Sequence, residues 1–103
     1  MREPVSTWIA ERKLQLVDPN SGLTHPVIVR IGAPTPVQGS AAFGCMVQLD
    51  GLIGDAGPIQ GVDSFQALEE ACRFVHNYLS NCRRAAHLQW PTGDSYFDAP
   101  RSE

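Results

Sequence analysis

No run of apolar residues in this sequence approaches the length that a bilayer crossing requires, so an ordinary membrane-spanning helix is excluded. Cysteine is sparse. Cys45, Cys72 and Cys82 make an odd count with no CxxC pair, so they read neither as a disulfide framework nor as a zinc ribbon. Positive charge is short as well: 8 Lys and Arg stand against 11 Asp and Glu, a formal net charge of −3. Without a basic surplus the chain lacks the footprint that displaces counterions from phosphates, and a nucleic-acid partner is not expected. The sequence also has no G-x-S-x-G nucleophile setting, no EF-hand spacing and no phosphate-binding glycine pattern; Gly51, Gly54, Gly57 and Gly61 read as turn chemistry. His25, His76 and His87 have no zinc-ligand spacing. His76 follows Cys72 by four positions and shares its helix face, but two ligands do not make a site. No metal, no cofactor and no catalytic residue is therefore expected. Met1–Ala10 has no basic patch followed by an apolar run, so a secretory leader is not expected, and unpaired cysteines favour a reducing, cytoplasmic compartment.

What is present suits one small core. At 103 residues, 43% of them hydrophobic, the expectation is a single domain over 1–103, ordered over about 7–97 with loose ends at 1–6 and 98–103. From Thr7 to Val17, Trp8, Ala10, Leu14 and Leu16 alternate with Glu11, Lys13 and Gln15, the period of a half-buried strand. Arg12 falls on the apolar side of that strand, which predicts a position near a sheet end or a carboxylate partner. Asp18-Pro19-Asn20-Ser21-Gly22 should reverse the chain into a return strand over His25–Ile31. The prolines at Pro34 and Pro36 then open a loop to Ser40. Phe43, Cys45, Val47 and Leu49 predict a third strand, and the segment around Ile59 a short fourth one.

The most legible element is helical. Phe65, Leu68, Cys72, Val75, Leu79, Cys82 and Ala86 recur at steps of three and four between Asp63 and Leu88, and Asp63 with Gln66 forms a capping-box pattern at the entry. Beyond it, Trp90, Tyr96 and Phe97 are more aromatics than a disordered tail carries; they should pack back on the domain or serve as a hook for a partner. The expected fold is thus α+β: an antiparallel sheet of about four strands in a meander, or a sheet extended by dimerisation, with one long C-terminal helix packed on one face.

The segments Ile9–Leu16 (IAERKLQL), Val29–Pro34 (VRIGAP) and Gly61–Leu68 (GVDSFQAL) together resemble a family of short bacterial proteins whose domain has no assigned function, over roughly residues 8 to 80. The resemblance implies a bacterial, soluble, stand-alone domain and carries over no activity or site residue.

A sheet with one helix leaves its second face wet, where Ile9, Ile28 and Met46 are candidates for a small apolar patch. The functional expectation is a non-enzymatic protein-interaction domain, acting as a homodimer or on a heterologous protein partner through Trp90, Tyr96, Phe97, Ile9, Ile28 and Met46. A masking protein of the immunity or antitoxin kind is one instance of that class, since a small acidic domain suits a basic target. The competing expectation is a small-molecule binder or enzyme with a pocket between sheet and helix end, using Arg12, Arg30, Asp50 and Asp63.

Overall fold

The computed structural model describes residues 8–81 and 87–96. It is an α+β fold with two antiparallel sheets and one helix. Strand β1 (Trp8–Val17) turns through 18–23 into β2 (Thr24–Gly32), in register from Ala10 opposite Ile31 to Val17 opposite Thr24. The turn is built as its composition predicts: the Asp18 carboxylate accepts from Asn20 N at 2.9 Å, and Gly22 N donates to Asp18 O at 2.8 Å.

The alternating run from Phe43 to Asp50 does not form one strand. It breaks at Met46 into β4 (Phe43–Cys45) and β5 (Val47–Asp50), which belong to different sheets. Strand β5 pairs with β2 and with β6 (Gly54–Asp55), while β4 lies between β3 (Thr35–Pro36) and β7 (Ile59–Gly61). After the helix comes β8 (Leu88–Gln89), which joins β1 at Gln15 and Leu16. The large sheet therefore runs β6-β5-β2-β1-β8 and the small one β3-β4-β7. The expected four-stranded meander is corrected on two counts: one predicted strand is shared between two sheets, and a strand follows the helix. Phe43–Asp50 keeps a single period across the break, so no change of phase marks it.

Helix α1 spans Ser64–Asn81. Its entry is capped as the pattern predicts, with one difference. Gln66 N donates to Asp63 Oδ1 at 2.7 Å, whereas the Gln66 side-chain oxygen accepts from Val62 N, one residue before the cap, also at 2.7 Å. The buried stripe is Ala67, Ala71, Val75 and Leu79, with Leu68, Phe74 and Tyr78 partly covered. The expected stripe was therefore rotated: Phe65 is 69% exposed and Cys72 is exposed, because two alanines permit close approach to the sheet where a bulky side chain does not. Cys82 and Ala86 lie outside the described residues, and Leu88 belongs to a strand.

The helix packs against β7 and β4 and reaches β2, but its main contacts do not extend to β1. The core it closes holds Leu14, Leu16, Val27, Val29, Ile31, Cys45, Val47 and Leu49, with Leu88 from β8. Leu14 and Leu16 are buried, whereas Trp8 to Lys13 of the same strand are all exposed. The first half of β1 projects past the cover of the helix. No helix among the described residues is long and apolar enough to cross a membrane.

Candidate functional site

Where the helix leaves β1 uncovered, a groove of about 240 Å³ opens between strand and helix. Its floor is Val29 and Ile31 of β2, standing opposite Arg12 and Ala10 of β1. Its far wall is Cys72, Val75 and His76 of α1, one turn of helix at steps of three and four. Tyr96 closes one end.

Glu11 and Arg12 are the charged residues lining this groove; the Glu11 carboxylate is paired with Arg30, and Arg12 is held by the aromatic end. Its guanidinium donates from Nη1 to the Tyr96 hydroxyl at 2.8 Å and lies over two rings, 5.3 Å from the Trp90 centroid and 5.9 Å from that of Tyr96. The rings are tilted together, 5.2 Å between centroids. They are held there by the backbone: Trp90 N donates to Asp94 O, Tyr96 N donates to Leu88 O, and Ser95 bridges to Gln89. Trp90 and Tyr96 thus fold against their own domain, both half-buried, and orient Arg12; Phe97 lies outside the described residues. Arg12 is exposed in the half of β1 that the helix leaves uncovered, as a position near a sheet end predicts, and its partners are a hydroxyl and two rings rather than the alternative carboxylate. Among the described residues no carboxylate pairs with it.

The other groups singled out from the sequence lie elsewhere. On the opposite face of the large sheet, Arg30 donates to Glu11 at 3.0 Å and to the Gln48 side chain at 2.6 Å, and Gln48 donates to Asp55 at 3.0 Å. Asp50 lies 3.9 Å from Arg30 on that face. Asp63 is engaged as the helix cap. The structure therefore joins Arg30 to Asp50, but it does not gather Arg12, Arg30, Asp50 and Asp63 into one pocket. Ile28 stands opposite Lys13 and Asp50, one outward rung from Arg30, so the Glu11–Arg30–Gln48 row separates it from Ile9 and Met46. Ile9, 47% exposed, sits where the β1 register shifts, and Met46 at the break between β4 and β5. Among the described residues no three His, Cys, Asp or Glu side chains gather as metal ligands. Of the cysteines, burial pushes the Cys45 thiol above its ordinary pKa, and it donates to Gly32 O at 3.1 Å, whereas Cys72 is exposed in the groove wall.

Over residues 10–101 the sequence matches a family described as Domain of unknown function (DUF6968). The chain belongs to that family. No curated protein and no solved structure matches it. The resemblance to a family of domains without assigned function thus holds at that level, and the DUF6968 match runs past the expected 8–80 stretch to take in Trp90 and Tyr96. Every residue of the groove, from Ala10 to Tyr96, falls inside it.

Sequence reasoning did not assemble Ala10, Val29, Ile31, Cys72, Val75 and His76 into one cleft. Two signals pointed there: a cation at an inward position of an alternating strand, and Cys72 with His76 on one helix face. Neither reveals how far the helix extends over the sheet, which is set by three-dimensional packing.

Proposed function

We propose that this domain is a non-enzymatic interaction module that binds an extended segment of a partner protein along the free edge of β1. The supporting observation is the mismatch between β1, ten residues long, and its outer neighbour β8, which pairs with it only at Gln15 and Leu16. Among the described residues, the edge from Trp8 to Lys13 carries no second strand. An unpaired edge offers a ladder of N–H and C=O groups to another chain, and here it runs beside a groove able to receive alternate side chains. Main-chain pairing supplies affinity in such complexes and the groove supplies selectivity. A reducing, cytoplasmic setting suits this reading, since it keeps the exposed Cys72 a thiol.

The test uses a displayed library of random heptapeptides panned on the purified chain. An enriched peptide is then resynthesised with one backbone amide methylated at a time. Strand addition expects alternation: every second methylation abolishes binding and the intervening ones are tolerated, because only alternate amides face the edge. Uniform tolerance refutes it. So does a stable dimer whose β1 amides resist hydrogen exchange without peptide, which assigns the edge to a second copy.

A further inference from the structure

Building on the strand-addition reading, we infer that the groove selects an extended segment bearing a carboxylate and a bulky apolar side chain two residues apart, the carboxylate received by Arg12 and the apolar group by the floor beside Ala10.

The charge argument begins with contrast. Arg30, on the other face, is already supplied with Glu11, Gln48 and Asp50. Arg12 has one hydroxyl and two rings, and no carboxylate among the described residues. A guanidinium carries five N–H donors in a rigid fork that matches a carboxylate in bidentate fashion. With Trp90 and Tyr96 fixing its plane, little rotamer freedom remains to be lost on binding, which is the condition under which such a contact contributes most. The neighbouring acidic residue, Glu11, also lines the groove, but its carboxylate is held by Arg30 at 3.0 Å rather than by Arg12.

Spacing supplies the second element. Ala10 and Arg12 point to the same side of β1, roughly 6.6–6.8 Å apart along an extended strand. A strand laid against that edge presents its own side chains with the same period, so one that meets Arg12 has a neighbour two residues away beside Ala10, whichever way the strand runs. There the wall is a methyl group, leaving room, and the lining is Ile31 and Val75, apolar core residues that both border the groove. His76 adds a polar group on the facing wall.

Panning should enrich peptides with Asp or Glu two positions from Leu, Ile, Phe or Trp. Replacing the acid by its amide in such a peptide should weaken binding to the parent chain about 10- to 100-fold, the range for a lost charge-assisted contact, and change binding to the Arg12→Gln chain less than about threefold. The pattern of tolerated N-methylations should be the same on both chains. An equal amide effect on both, with that alternation kept, overturns the role of Arg12 and leaves strand addition standing. Loss of the alternation, or no enriched peptide, overturns both readings. Free 3-phenylpropionate is the remaining arm: if it competes at the affinity of the peptide, the groove is a small-carboxylate site and the inference falls.

Discussion

Gly61 is the position where a single methyl group tests the architecture most directly. It ends β7 two residues before the helix cap, and a Cβ built on it would press on Ala67 N and lie 2.7 Å from Gln66 C and 2.8 Å from Ala67 Cα. Those are backbone atoms of the first helical turn, so no side-chain rotation relieves the overlap; the ends of β7 and α1 must part by about half an ångström or more. Overpacking of this kind costs about 1–3 kcal/mol when side chains can share it, and a backbone target belongs at the upper end, about 3 kcal/mol. For a domain of this size that corresponds to a melting point lower by about 12–24 °C. Gly22→Ala is the matched control: its φ of +77° is unfavourable for alanine, but no atom lies within 4 Å of the added group. Its cost is conformational alone, about 1 kcal/mol or about 4–8 °C. Thermal unfolding followed by circular dichroism separates the two. If Gly61→Ala melts no lower than Gly22→Ala, strand and helix do not meet at backbone contact and the packing argument is wrong.

Removing the helix cap with Asp63→Ala should cost about 1 kcal/mol in urea unfolding and speed hydrogen exchange of the Gln66 amide, which donates to it; unchanged exchange there refutes the cap. The Asp18 carboxyl is held below its ordinary 3.8, chiefly by the hydrogen bond from Asn20 N, so its folded value lies below its unfolded one. Its contribution is then complete above about pH 4 and lost as pH falls through the folded value, and Asp18→Asn should flatten the acid-side decline of stability relative to the parent. An identical decline in the two chains removes Asp18 from the account.

Much of the local structure was legible because local rules govern it. The Asp18–Gly22 reversal, the alternation of β1 and β2 and the Asp63–Gln66 cap each depend on side chains a few residues apart. Two features escaped for a shared reason. The rotation of the helix stripe from Phe65 and Cys72 toward Ala67 and Ala71 is decided by how closely α1 approaches β4 and β7, and alanine carries too little hydrophobic signal to announce that. The split of Phe43–Asp50 between two sheets depends in part on β2 and β7, whose paired residues lie more than ten positions away. The groove inherits both difficulties. Arg12 was visible as an anomaly, but Trp90 and Tyr96, which orient it, lie more than seventy-five residues further along and arrive only through β8.

The hydrogen-bonded row Glu11–Arg30–Gln48–Asp55 crosses four strands in a single line on the outer face. Alternation of apolar side chains forbids a one-residue slip between neighbouring strands, since every core group would flip outward, but it is blind to a slip of two. The row is not: sliding β1 by two residues against β2 would strand Arg30 opposite Ile9 or Lys13 and leave it without Glu11. The polar outer face thereby acts as a vernier for the apolar inner one, fixing the phase at which β1 would offer its border to a visiting chain.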